Sequence, residues 1–238
     1  MPETSIRNRY DRNFDTLSAA EQEKLGRSHA VIIGLGGLGG GVLEMLARVG
    51  VGHLTLIDGD VFDETNLNRQ LLSREDLIGT SKAAAARQRV AAINSEIEVS
   101  HFDVYLDDTN LYHHIKGADV AMDCLDSIDT RFMLQDAALK AGIPIVSGAI
   151  AGVTGQVTTI FPGDAGYGLI YGKKSRDRSK GVEIRTGNIS YCALFVAALQ
   201  SSECVKVLLD RGDLLQNKLL IAQLWSNTFE TVNLVSSE

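Results

Sequence analysis

The stretch His29-Ala30-Val31-Ile32-Ile33-Gly34-Leu35-Gly36-Gly37-Leu38-Gly39 decides the fold. An apolar, β-branched run passes into a glycine turn that opens a helical pattern, so the segment reads strand, turn, helix. Glycines allow a tight turn and let backbone N–H groups approach a phosphate, and the helix amino end adds positive potential there. Outward from it, the pattern predicts strands over 29–34, 53–58, 97–102, 118–123 and 144–149, with helices over 38–49, 81–94, 108–116 and 127–142. Short β-rich runs alternating with longer helical stretches specify an α/β fold: a Rossmann-like, largely parallel sheet with helices on both faces. After Gly152 the character changes. Residues 154–161, 167–172, 219–225 and 228–234 read as strands, separated only by an apolar helix over 190–210, so antiparallel strands are expected to extend the sheet in the C-terminal third.

The 238 residues are 45% hydrophobic and 22% charged, enough to bury a substantial core and too apolar for disorder. With three prolines and no Ser-rich or Pro-rich linker, nothing marks a domain boundary. The chain reads as one domain over 1–238: a polar helical arm at 1–28, a nucleotide-binding core at 29–150, and an antiparallel extension at 151–238. Within that extension, Lys173, Lys174, Arg176, Arg178 and Lys180 form a charged insertion that reads as a solvated loop. A formal charge of -7 gives no overall attraction to nucleic acid or to an anionic membrane. The amino terminus runs into charged residues with no apolar leader, and the longest apolar run, 191–199, reads as too short for a bilayer span, so a cytoplasmic location is expected. Cys124, Cys192 and Cys204 are scattered without a Cys-x-x-Cys pair, which offers neither a disulfide framework nor a tetrahedral zinc site.

Asp58 ends the second expected strand roughly 20 residues after the glycine turn, where a carboxylate accepts hydrogen bonds from ribose hydroxyls. Together the two signals point to an adenine nucleotide. The cations downstream separate hydride transfer from phosphate chemistry, because adenylyl transfer builds charge on phosphate oxygens that Arg, Lys and magnesium neutralise. Arg69 lies in the polar loop Asn66-Leu67-Asn68-Arg69-Gln70, and Lys82 opens the helix after Gly79-Thr80-Ser81. A cation in a first helical turn opposes the dipole, so Lys82 is best understood with an anion beside it. Asp126 follows the fourth strand, at the edge where ligands of parallel sheets bind, and is either the N-cap of the next helix or a magnesium ligand. Asp60 is a second candidate for the ion. Cys192 precedes the apolar helix and reads as a packing residue, with thiolate chemistry as the alternative; Cys124 and Cys204 read as core.

With these residues in place the sequence resembles the MoeB/ThiF/HesA group of the ubiquitin-activating enzyme superfamily. The matching signatures occur in order along nearly the whole chain: Arg9 to Arg12, Gly34 to Gly39, Leu56 to Asp60, Asn66 to Gln70, Gly79 to Lys82, Asp123 to Asp126 with Arg131, and Gly148 to Val157. The resemblance implies an adenylyltransferase that uses magnesium ATP to activate the C-terminal glycine of a small ubiquitin-like sulfur carrier ending in Gly-Gly. It implies Gly36, Gly37, Gly39, Asp60 and Gln70 in the nucleotide site, Asp58 on ribose, Asn66, Arg69 and Lys82 on phosphates, and Asp126 on magnesium. Arg12 resembles the arginine that reaches the neighbouring subunit's phosphates, which implies a homodimer, and the crossover loop near the carrier's tail would fall at 173–190. Members commonly carry two Cys-x-x-Cys pairs for structural zinc; this chain has Tyr167-Gly168-Leu169-Ile170-Tyr171-Gly172 where the first would fall, so zinc is not expected. The rival readings are a tRNA threonylcarbamoyladenosine dehydratase and a nucleotide- or carrier-binding module without turnover.

Overall fold

The computed structural model describes residues 8–172 and 186–235. Eight strands form one sheet: β1 (His29–Ile33), β2 (His53–Ile57), β3 (Glu98–Phe102), β4 (Val120–Asp123), β5 (Ile145–Ala151), β6 (Thr154–Ile160), β7 (Lys218–Gln223) and β8 (Thr228–Asn233). Their spatial order is β3-β2-β1-β4-β5-β6-β7-β8. The first five run parallel, and β6, β7 and β8 are added antiparallel. The chain thus moves to one side of β1 for two strands and then to the other, which puts a crevice at the carboxyl ends of β1 and β4.

Both faces are covered because the parallel strands carry apolar side chains on both sides. In β1, Ala30 and Ile32 pack with α2 (Gly39–Val49), α3 (Lys82–Ile93) and the long helix α7 (Ser190–Leu209), while Val31 and Ile33 face α4 (Leu111–Ile115), α5 (Ile128–Ala141) and α6 (Tyr167–Tyr171). The first turn of α2 can lie against β1 only because Gly39 has no side chain: a Cβ there would sit 1.8 Å from the Gly34 carbonyl oxygen. Gly34 itself has φ of 86°, and a Cβ would meet the Cys124 carbonyl oxygen at 2.7 Å. The glycine turn is therefore clamped between β1 and β4.

Four sequence expectations need correction. Residues 167–172 are not a strand: Gly166, with φ 52° and ψ -122°, turns the chain abruptly into the short helix α6, and Tyr167 is drawn into the core. The arm before β1 is not one helix. It is a 3-10 turn (Asn8–Asn13) followed by α1 (Ala19–Leu25), which Ser18 and Glu21 start with a reciprocal capping box. The apolar helix expected over 190–210 forms as Ser190–Leu209, but the expectation that its apolar run is too short for a bilayer does not hold, because this helix is long and apolar enough to cross a membrane by length and composition. It packs across β4, β5 and β6 instead, with Gln200, Ser201 and Glu203 buried on it. Cys192 and Cys204 are core, whereas Cys124 is only half-buried: it packs against the core cluster and also lines a cavity. The basic residues Lys173, Lys174, Arg176, Arg178 and Lys180 lie outside the described residues.

Candidate active site

A cleft of about 530 Å³ opens at the carboxyl ends of β1, β2 and β4. Asp58 builds its first wall. One carboxylate oxygen accepts the Leu35 N–H of the glycine turn at 2.6 Å and the other accepts the Asp60 N–H at 2.8 Å, so the residue fixes the turn before any ligand arrives. Burial raises its pKa, against the opposing pull of these N–H groups and of Lys82. Each oxygen keeps a second lone pair, leaving acceptor capacity toward the cleft.

Lys82 begins α3 and is 5% exposed. The anion that accounts for its place is Asp60, whose Oδ2 lies 2.9 Å from Nζ; Asp60 Oδ1 accepts the Tyr105 hydroxyl at 2.8 Å. Burial would raise the Asp60 pKa, but the Lys82 and Tyr105 bonds outweigh it and hold the carboxyl below its ordinary value. Arg69 lays its stem along Gly37, and among the described residues its guanidinium bonds neutral oxygens alone, Thr65 O at 3.0 Å and Asn68 Oδ1 at 2.8 Å. Its charge faces the cleft uncompensated by those two. The Gln70 amide lies against Gly36, and its buried Oε1 has no hydrogen-bond partner among the described residues.

Under the cleft floor lies a buried ion pair. Asp123, fully buried at the end of β4, accepts Arg131 Nη1 at 2.5 Å, Ser147 Oγ at 2.6 Å and Tyr167 OH at 2.5 Å on Oδ2, and the Leu125 N–H at 3.0 Å on Oδ1. Arg131 also donates to the carbonyls of Leu125 and Gly148. Asp126 then projects exposed into the cleft, and the N-cap of α5 is Ser127, whose Oγ accepts the Thr130 N–H. Capping therefore does not account for Asp126. Arg131→Met, which strands a buried carboxylate, is expected to cost about 3–5 kcal/mol in urea denaturation. Adding Asp123→Asn should recover part of that loss; a double variant no more stable than the single one would show that the pair carries no such coupling.

Along residues 10–238 the chain matches the ThiF family. It belongs to that family. Among the relatives of this ThiF-family chain, the SAMP-activating enzyme E1 of Haloferax volcanii is 34% identical over 94% of this chain and 84% of its own. The sulfur carrier protein ThiS adenylyltransferase of Bacillus subtilis is 34% identical over 96% and 68%. Adenylyltransferase and sulfurtransferase MOCS3 of Drosophila sechellia is 34% identical over 90% of this chain, which spans 48% of that relative's length. In structure the chain resembles E. coli MccB with ATP, at a TM-score of 0.79 and 25% identity over 99% of this chain and 73% of that one. It resembles MccB with MccA-N7isoASN at 0.83 and 26%, over 100% and 75%. By family, the chain is an E1-like adenylyltransferase.

The ThiF cleft brings together Gly36, Gly37, Asp58, Asp60, Arg69, Gln70, Lys82 and Asp126. It does not bring Asn66, Gly39 or Arg12. Asn66 is buried in its own 3-10 turn, its Oδ1 accepting the Asp63 N–H, so its side chain holds the loop that carries Arg69. Gly39 serves helix packing, as above. Arg12 is exposed, and its turn is fastened elsewhere: Arg9 bonds Asn94 Oδ1, and Asn94 Nδ2 donates to the Tyr10 hydroxyl. Sequence reasoning missed Tyr105, which covers Gly59, and the cleft residue Asn188 of the C-terminal third. No spacing signal marks them, because each arrives by a loop. Burial pushes the thiols of Cys124, Cys192 and Cys204 up, which disfavours the thiolate that covalent sulfur chemistry needs. Among the described residues no group of three or more His, Cys, Asp or Glu is placed to hold a metal.

Proposed function

We propose that the chain uses ATP to activate the C-terminal glycine carboxylate of a small ubiquitin-like sulfur carrier as an acyl-adenylate, releasing pyrophosphate. The observation that carries this reading is the continuity of the cleft. From Gly36, Gly37 and Asp58 it runs past Arg69, Lys82 and Asp126 to Ala149–Ala151, Thr154 and Gln156 on β5 and β6, so a nucleotide and a second, extended reactant share one space. A carboxylate oxygen from the second reactant bonds the α-phosphorus, the bond from that phosphorus to the bridging oxygen breaks, and pyrophosphate leaves with the electron pair. Arg69 and Lys82 stand where charge builds on the phosphate oxygens. Asp126 is exposed, lies in the cleft and is not a helix cap, which suits a hard ion that takes few protein ligands; magnesium bound there would neutralise phosphate charge. Relatives named for a sulfur carrier protein and for SAMP support a carrier as the acyl substrate. Arg12, held away from its own cleft, supports a homodimer in which each chain completes its partner's site.

Purified protein is expected to exchange labelled pyrophosphate into ATP only when magnesium and a Gly-Gly-ended carrier are both present, since adenylate formation is reversible until sulfur arrives. Exchange that depends on tRNA instead would replace the carrier reading. No exchange with either would make the chain a binding module.

A further inference from the structure

Tyr167 enters a buried ion pair that is already balanced. Arg131 and Asp123 compensate each other, Ser147 adds a third group, and the tyrosine still delivers its hydroxyl to Asp123 Oδ2 at 2.5 Å while remaining fully buried. The local chain is built for that insertion. A Cβ on Gly166 would lie 2.5 Å from Gln135 Oε1, the same oxygen that accepts the Tyr167 N–H at 2.9 Å, so Gly166 can precede Tyr167 only without a side chain. Phe132 and Tyr171 flank the ring at 6.0 Å each. Burial and the neighbouring carboxylate push the hydroxyl's pKa well up, so it stays a proton donor.

The other ends of the network fall on one peptide. Asp123 Oδ1 accepts the Leu125 N–H and Arg131 Nη2 donates to the Leu125 carbonyl, so the pair grips Leu125 from both sides, and Asp126 follows immediately. Tyr171, four residues beyond Tyr167 on α6, forms part of the cleft wall. We propose that Tyr167 is a positioning residue for Asp126: its hydroxyl completes the donor set of Asp123 and fixes the carboxylate whose other oxygen sets Leu125. The seating of α6 and the placement of Asp126 are then one event. The catalytic half of this inference rests on the adenylation reading; the structural half does not.

Tyr167→Phe keeps the ring and removes one oxygen. In the whole chain without ligand, amide hydrogen exchange at Leu125, whose N–H is held by Asp123 Oδ1, is expected to quicken about tenfold, the scale of one hydrogen bond to a charged group. Phe132→Leu, which loosens the same aromatic cluster without touching Asp123, should leave the Leu125 amide unchanged. In carrier-dependent pyrophosphate exchange, kcat should fall by a similar factor of about ten with the ATP KM held within about twofold. In an Asp126→Asn background Tyr167→Phe should have no further effect, because two residues acting as a unit are not additive. Ser147→Ala, which removes another donor from the same oxygen, repeats the test should Tyr167→Phe fail to fold. An unchanged Leu125 amide, an equal loss of protection throughout the chain, or an undiminished effect in the Asp126→Asn background would overturn the proposal. A wild-type protein that exchanges no pyrophosphate would sink the adenylation reading alone, and the amide measurement would still decide whether Tyr167 sets the Asp126 loop.

Discussion

Replacing Lys82 by alanine is expected to lower carrier-dependent adenylation by about two orders of magnitude or more, the scale of removing one preorganised partner of developing charge. The geometry adds a second loss. Lys82 Nζ neutralises Asp60 at 2.9 Å and lowers the pKa of Asp58, so its removal leaves two carboxylates at the nucleotide end of the cleft with no cation between them. That pair would repel a triphosphate as well as fail to stabilise the transferred group. Lys82→Ala should therefore weaken ATP binding along with turnover, and Lys82→Ala with Asp60→Asn should recover part of the binding loss but little of the rate. Asp126→Ala should lose rate on the same scale for a different reason. Because Ser127 caps α5, the melting temperature of that variant should barely move. Full turnover in either alanine variant would show that the residue takes no part in the reaction.

Expectations drawn from Lys82 and Asp126 could be written down before the structure because parallel α/β architecture makes position along the chain a good proxy for position in space. Every βα turn in such a sheet delivers its residues to the same edge. The glycine turn, Asp58, Lys82 and Asp126 follow β1, β2, the loop before α3 and β4, and all four meet in one cleft. Where that rule ends, so does the legibility. Tyr167-Gly168-Leu169-Ile170-Tyr171 has the aromatic, β-branched composition of a strand, and β propensity reports only fitness for a half-buried pleated surface. A left-handed glycine and a buried carboxylate to receive a hydroxyl override it, and neither shows in local pattern. Asn66 was ambiguous for another reason. An amide in a polar loop can face a phosphate or bond its own backbone three residues away, and the chain took the local bond. Asp126 was ambiguous between cap and ligand because either of two neighbouring polar residues could cap α5; the backbone resolves that in favour of Ser127.

If the proposed homodimer forms, mixing an Arg12→Ala protein with a Lys82→Ala protein, each expected to be inactive alone, should restore about a quarter of wild-type activity after full subunit exchange, since half of the dimers would be hybrids and each hybrid would hold one site with neither defect. The argument starts from where the arm is tied. Tyr10 lies against Gly50, the C-cap of α2, and together with Arg9 it bonds Asn94, the C-cap of α3. Both caps lie just before β2 and β3 begin, at the amino-terminal edge of the sheet. The cleft is at the other edge, and a five-residue strand separates the edges by roughly 16 Å. Arg12 is two residues from Tyr10 in the same 3-10 turn, so it cannot reach its own cleft while that turn stays docked. An arginine that acts on phosphate from this position must act on a neighbour's phosphate. Lys82, by contrast, is buried beside Asp60 in its own chain and can serve only the cleft it lines. One defect therefore travels with the partner and the other stays at home, which is the condition for complementation. Recovery should vanish when subunit exchange is blocked by cross-linking each parent dimer beforehand. A monomer in solution, or hybrids proven to form without recovery, would place Arg12 outside the reaction altogether.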